Sequence, residues 1–370
     1  MPAITPIVMP KWGLSMREGT VTAWLVDEGT RIQVGDRILE VETDKISGEV
    51  EAADPGRLRR KVASAGQTLP VKALLGVMAE AEVSDQEIEA FIASYVVPAP
   101  DDGEAATESA YLFTAVDGIR VRHVRRGDGA ATMLLLHGFG GDLDNWLFNL
   151  DALAERNTVI ALDLPGHGQS DRKLAGKTLG ELARFVAHFL DAVEVNSVHV
   201  AGHSMGGAVG AQLAIDHPHR VASVALIGSA GLGDEINTGY TEGFIAAQSR
   251  RDLRPVVEQL FANPELVSRQ LLDNLLRYKR LDGVTELLAE LHHGLFPEGR
   301  QSEQPGRRLG ETGKRALVVW GAEDRIIPPR HAARAPANAV VAVLDGAGHM
   351  VQMEKPSAVN KLLNQHVAEA

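Results

Sequence analysis

The stretch Val198-His199-Val200-Ala201-Gly202-His203-Ser204-Met205-Gly206-Gly207 sets the spacing G-x-S-x-G between an apolar run and a helical one. A serine there stands on a sharp strand-to-helix turn, its hydroxyl exposed at the sheet edge beside a helix N-terminus. A side chain at Gly202 or Gly206 would crowd so tight a turn. The blander readings are a Gly-rich phosphate loop or plain packing. A serine hydroxyl needs a base, and the base needs an orienting group. In the chain order serine, acid, histidine, both partners follow later strands. Val318-Val319-Trp320-Gly321-Ala322-Glu323-Asp324 supplies a strand ending in acid, and Gly346-Ala347-Gly348-His349 a histidine in a Gly-rich loop. Asp324 and His349 are the candidates, with Glu323 the neighbouring alternative acid. Asp345 lies too close to the histidine along the chain. An oxyanion would need two backbone donors. The N–H of Met205 is one, and the N–H of Phe139, in Leu136-His137-Gly138-Phe139-Gly140-Gly141, is the other. Preorganised donors of this kind are each worth ~2.7–4 kcal/mol of barrier.

These residues sit in a region from Tyr111 onward where strands alternate with helices. Met133–His137, Val159–Asp163, Val198–Gly202, Val221–Gly228, Ala316–Gly321 and Val340–Leu344 are short apolar runs of buried-strand type. Leu179–Val193 and Ala208–Asp216 read as helices between them. The alternation predicts a mostly parallel sheet covered on both faces. It is interrupted from about Gly233 to Gly313, where only helical stretches occur (Phe244–Ser249, Leu253–Phe261, Glu265–Lys279, Val284–His292). That segment is expected to be an inserted helical cap.

The first 80 residues are different. Thr20–Val26, Arg37–Glu42 and Glu49–Ala52 read as short strands, with turn signals at Glu28-Gly29, Gly35-Asp36 and Asp54-Pro55-Gly56. This predicts a small all-β module. Ser84-Asp85-Gln86-Glu87 matches a capping box, and Ile88, Phe91, Ile92 and Tyr95 form one face of a short helix that must dock somewhere. Residues 81–110 hold eight acids and no Lys or Arg, and so account for most of the net charge of −12. Pro98 to Ala110 has little to bury and reads as a tether. A flexible segment of that length has an r.m.s. span of about 20 Å. The expected organisation is 1–80, then 81–110 as helix and acidic linker, then 111–370.

Other classes fall away on composition. The 45% hydrophobic content fits a globular chain. No apolar run approaches the length of a membrane span. No basic surface for nucleic acid is evident. Cysteine is absent, which excludes disulfides, thiolate metal sites and a cysteine nucleophile. The N-terminus lacks the apolar core of a secretion signal, so a cytoplasmic location is expected.

Residues 5–80 resemble a lipoyl domain. The matching text is Met9-Pro10-Lys11-Trp12-Gly13-Leu14-Ser15-Met16, Glu18-Gly19-Thr20-Val21, Glu28-Gly29, Gly35-Asp36 and Glu40-Val41-Glu42-Thr43-Asp44-Lys45. The resemblance implies lipoate carried as an amide on Lys45. The related biotin carriers have methionines beside the lysine; Asp44 and Ile46 stand here instead and favour lipoate. Residues 111–368 resemble the α/β-hydrolase family through Leu136–Trp146, Asp163–Asp171, the G-x-S-x-G turn, Trp320–Pro328 and Gly346–His349. Asp163 and Asp171 are read as structural turn residues.

The pairing is similar to the dihydrolipoyl acetyltransferase subunits of acetoin dehydrogenase complexes, in which an α/β-hydrolase core replaces the usual acyltransferase domain. The usual core's His-x-x-x-Asp-Gly is not matched, since His123-Val124-Arg125-Arg126-Gly127-Asp128-Gly129 is one residue too long. No peripheral subunit-binding domain is recognisable. The resemblance implies acetyl transfer from the lipoyl arm to coenzyme A. It also implies a thiamine-diphosphate-dependent acetoin dehydrogenase and dihydrolipoamide dehydrogenase as partners, in a homo-oligomeric assembly. The alternatives are a serine hydrolase (esterase, thioesterase or C–C bond hydrolase) with an appended carrier, and a non-catalytic carrier. Arg250, Arg251, Arg254, Lys279 and Arg280 in the cap are candidates for coenzyme A phosphates or, more blandly, a solvated basic face.

Overall fold

The computed structural model describes residues 4–12, 16–43, 47–98 and 111–370. Lys45 and the tether from 99 to 110 lie outside them. The chain divides into two compact units, 1–110 and 111–370.

The N-terminal unit holds two four-stranded antiparallel sheets. One contains β1 (Ile4–Val8), β3 (Arg31–Ile32), β6 (Gly56–Lys61) and β8 (Leu74–Ala79); the other β2 (Glu18–Trp24), β4 (Arg37–Glu42), β5 (Ser47–Glu51) and β7 (Thr68–Pro70). Alternating residues of both, among them Val21, Leu39, Val41, Leu58 and Leu75, fill the space between them. Gly29 and Gly35 take φ of +90° and +88°, the left-handed turn backbone their spacing predicts. The helix Asp85–Ser94 starts at the Ser84–Glu87 capping box. Its partner is the outer face of β8. Ile88 packs with Leu74, Val77, Ala79 and Val83, and Tyr95 donates to the Lys72 carbonyl at 2.9 Å. Arg59 and Arg60 pair with Asp85 and Glu89 along its edge.

The C-terminal unit is built on an eight-stranded sheet. Its strands are β9 (Leu112–Val116), β10 (Ile119–Arg126), β11 (Thr132–Leu136), β12 (Thr158–Leu162), β13 (Val198–His203), β14 (Val221–Ile227), β15 (Arg315–Gly321) and β16 (Val340–Leu344). The order is β16-β15-β14-β13-β11-β12-β10-β9. β9 and β10 form the hairpin at Asp117-Gly118 and join antiparallel to β12; the rest of the sheet is parallel. The central strands are buried on both faces, hence their unbroken apolar character. Helices Leu179–Ala192 and Met205–Asp216 pack beside each other on the sheet.

Between β14 and β15 the chain forms the helical cap: Thr238–Ala246, Arg250–Val257, Arg269–Lys279 and Val284–Leu295. All four differ from the sequence expectation at one or both ends, and two of the starts have a plain cause. The first begins six residues earlier than Phe244, because Tyr240 and Thr241 are buried alongside Phe244. The third begins at Arg269 rather than Glu265, because Pro264 opens a separate 3₁₀ turn and the Ser268 hydroxyl caps the helix by accepting from the Leu271 N–H.

Candidate active site

Ser204 follows β13 directly and precedes the helix Met205–Asp216. Its backbone has φ 54° and ψ −118°, a strained conformation for a residue with a side chain. Its N–H donates to the Ile227 carbonyl at 3.0 Å, and its carbonyl accepts from Ala230 at 3.1 Å. The two glycines make the turn feasible. A Cβ on Gly202 would lie 2.3 Å from the Gly206 oxygen; one on Gly206 would lie 2.4 Å from the Leu136 oxygen. Backbone cannot yield to such contacts.

β15 and β16 are paired neighbours, so the loops leaving their C-terminal ends meet. His349 Nδ1 and Asp324 Oδ2 are 2.8 Å apart, and both side chains are buried. The other oxygen, Asp324 Oδ1, accepts from the N–H groups of Ile326 (2.8 Å) and Ile327 (3.0 Å). The carboxylate is thus fixed before it meets the imidazole. Glu323 points elsewhere, accepting from the Ala347 N–H at 3.0 Å. His203 Nε2 donates to the His349 carbonyl at 3.0 Å. Burial, reinforced by the adjacent His349 ring, holds His203 neutral, far below the usual imidazole range.

The loop 138–141 follows β11. His137 fixes it: Nδ1–H donates to the Gly138 carbonyl at 2.8 Å and Nε2 accepts from the Leu164 N–H at 2.9 Å. Burial pushes this imidazole down to about 4, so the neutral form required by those two bonds persists. A buried ion pair lies beneath. Arg122 Nε donates to Asp163 at 2.6 Å, and Asp163 also accepts from Leu143 N–H at 2.9 Å and Gln169 N–H at 2.7 Å. Asp163 therefore ties the loops after β11 and β12 together.

Ser204 and His349 open on one cavity. Its wall is mainly apolar, with Phe244, Phe261 and Phe296 from the cap and Ile326, Met350 and Met353 from the core. Gly138, Phe139, Gly140 and Gly141 complete it beside the serine. Neither Phe139 nor Met205 has a hydrogen-bond acceptor for its N–H among the described residues. A hydroxyl, a buried imidazole oriented by a carboxylate, two unpaired N–H groups and a mainly apolar cavity can support nucleophilic acyl chemistry.

The candidate cap cations are mostly engaged. Arg250 pairs with Asp273, Arg254 reaches Glu258 and the Val267 carbonyl, and Lys279 turns inward to the Ala247 carbonyl. Reading the sequence misses Arg122, the role of His137, and Glu354, a buried acid that accepts from Gly348 N–H. An arginine in a β-hairpin strand carries no local signature.

Fold and site define an α/β-hydrolase-fold protein with an appended carrier-type β domain. A family model described as alpha/beta hydrolase fold matches residues 131–356, and one described as biotin-requiring enzyme matches residues 5–78. The chain is 65% identical over 99% of its length to a dihydrolipoyllysine-residue acetyltransferase component of the acetoin cleaving system of Cupriavidus necator, covering 98% of that protein. It is 49% identical to the protein of the same description from Pseudomonas putida, over 98% of both chains. Among solved structures, a meta-cleavage product hydrolase from Pseudomonas fluorescens superposes with a TM-score of 0.63 at 22% identity, over 70% of this chain and 97% of that one. That likeness concerns the fold. The chain belongs to the family of dihydrolipoyllysine-residue acetyltransferase components of acetoin cleaving systems.

Proposed function

We propose that the chain moves an acetyl group from a lipoyl arm on Lys45 to coenzyme A, using Ser204, His349 and Asp324. The observation that carries this is the meeting of Ser204 and His349 on one apolar cavity, with the imidazole held by Asp324 at 2.8 Å. The strands on either side of Lys45 fit a carrier site: β4 and β5 pair antiparallel, with Glu42 opposite Ser47. A lipoyl group there supplies a thiol on a long mobile arm.

The chemistry follows from the site. His349, its Nδ1 turned to Asp324, takes the Ser204 proton on Nε2. Ser204 Oγ bonds to the thioester carbon, and the N–H groups of Phe139 and Met205 hold the oxyanion. The C–S bond breaks as His349 returns the proton to the leaving sulfur. Coenzyme A then gives its thiol proton to His349 and attacks the acyl-serine, which regenerates the hydroxyl. The cap excludes water, which would otherwise divert the acyl group to acid. The reaction belongs in the cytoplasm, with the thiamine-diphosphate-dependent acetoin dehydrogenase and dihydrolipoamide dehydrogenase as partner enzymes and a homo-oligomeric core. No helix among the described residues is long and apolar enough to cross a membrane.

The alternative is a serine hydrolase with an appended carrier, favoured by the likeness of the larger unit to hydrolases in sequence and in fold. Acetyl transfer assayed with and without coenzyme A separates them: hydrolysis releases acetate at an undiminished rate without the coenzyme. Ser204→Ala tests the covalent path. Loss of nearly all turnover supports it; retention of a sizeable part means direct attack by the coenzyme thiolate.

A further inference from the structure

Glu354 lies just outside the cavity and is 8% exposed. One carboxylate oxygen, Oε2, accepts from the N–H of Gly348 at 2.6 Å, the residue before His349. The other, Oε1, accepts from the N–H groups of Ala262 (2.8 Å) and Asn263 (3.4 Å). Residues 262 and 263 belong to the cap. One side chain therefore spans from the histidine loop to the lid over the site.

Two further contacts run along the same seam. The Met350 N–H donates to the Leu260 carbonyl at 3.1 Å. Gly348 lies so close to the cap that a Cβ there would sit 2.7 Å from the Ala262 nitrogen and 2.8 Å from the Leu260 oxygen. Leu260 and Phe261 both line the cavity. The cap segment 260–263 thus contacts substrate space on one side and the His349 loop on the other.

Burying a carboxylate is costly unless its lone pairs are satisfied. Here burial pushes the Glu354 carboxyl above the usual carboxylate range, and the three backbone donors oppose that rise. No Lys or Arg forms an ion pair with it among the described residues. Its hydrogen bonds come wholly from the two segments it joins, and the neighbouring Lys355 adds a weaker charge attraction. Lifting the cap would strip two of its three bonds, leaving a buried acid held by Gly348 alone. The docked cap and the placed histidine loop are therefore one energetic state.

We infer that Glu354 is a positioning residue that couples docking of the cap to the placement of His349. It touches neither substrate nor the reacting atoms. It makes the imidazole ready only when the cavity is roofed, so that the acyl group is exposed to the base after water has been shut out. This rests on the proposed roles of Ser204 and His349.

The test uses the full-length lipoylated protein and Glu354→Gln, which is nearly isosteric but places an N–H donor against backbone donors. Ser204 labelling by a fluorophosphonate, kcat and KM for a small acetyl thioester, and amide exchange across residues 258–267 and 345–350 are measured together. The expected result is a fall of about tenfold to a hundredfold in kcat and labelling rate, the scale of a misplaced catalytic group. KM stays within about twofold, and exchange accelerates in both segments together. Turnover within twofold of the parent, or faster exchange in only one segment, overturns the inference. Should Glu354→Gln fold poorly, Glu354→Asp decides: it keeps the charge but cannot reach both sides, and the same loss of kcat is expected, with parental kcat overturning the inference. A parent protein that the fluorophosphonate does not label would refute the role of Ser204, while the exchange comparison would still judge the coupling.

Discussion

Glu323 and Asp324 are adjacent in sequence but hold different parts of one loop: Asp324 the imidazole of His349, Glu323 the amide of Ala347. Asp324→Asn would keep an oxygen for the Ile326 and Ile327 amides and turn an N–H toward His349, forcing the wrong tautomer. Turnover of a small thioester should fall by roughly 10³–10⁴-fold, as such a change does in serine enzymes. Glu323→Gln keeps an acceptor for Ala347 and should cost less than about tenfold. Steady-state kinetics on the two folded variants check the assignment.

Arg122 and Asp163 form a buried pair, and Asp163 also anchors two loops. Arg122→Met leaves that carboxylate without its cation. Breaking such a pair costs about 3–5 kcal/mol. For a unit of this size that lowers the melting temperature by roughly 6–20 °C. Thermal unfolding by circular dichroism measures it.

Stability should decline with acid before the usual carboxylate range. Burial lowers His137 to about 4, and burial with the nearby His137 lowers His167 to about 3; burial lowers His366 to about 4. Between those values and the ordinary histidine pKa near 6.5 the unfolded chain binds more protons, so unfolding is favoured as pH falls. His137 alone should cost on the order of 2 kcal/mol by pH 5. Asp142 works the other way, its carboxyl pushed up to about 7 by burial, then by Asp144 and Asp163. Its side chain is a third exposed and lies 3.7 Å from Arg122, so the histidines dominate. Melting temperatures recorded from pH 7 to pH 5 should fall steadily; a flat profile contradicts this.

On the proposed function, the two units divide the labour. Lys45→Arg should abolish acetyl transfer driven by acetoin, while leaving turnover of a free small thioester within about twofold. Intact mass identifies the missing modification in the same sample. Loss of both activities would mean that Lys45 acts in the larger unit's chemistry.

Local features of the fold were readable in the residue order, and remote pairings were not. The Ser204 turn is written within five residues, because Gly202 and Gly206 must admit backbone at 2.3 and 2.4 Å. Asp324 and His349 were placed by chain order, since each follows a strand and those strands are neighbours. Arg122 and Glu354 were invisible: their partners lie 41 residues away and 92 residues away, and only the folded sheet brings them together. The cap helices were misplaced at their ends for a related reason. Burial of Tyr240 and Thr241 extends one helix through a glycine-containing stretch, where local preference alone would stop it.

The residues lining the cavity include no Lys, Arg, Asp or Glu. On the proposed chemistry, phosphates could not enter such a space without losing their hydration, so a coenzyme would present only its thiol-bearing tail to it. The acyl group would rest on Ser204 between the departure of one thiol and the arrival of the next, so carrier and coenzyme would never need to be present together.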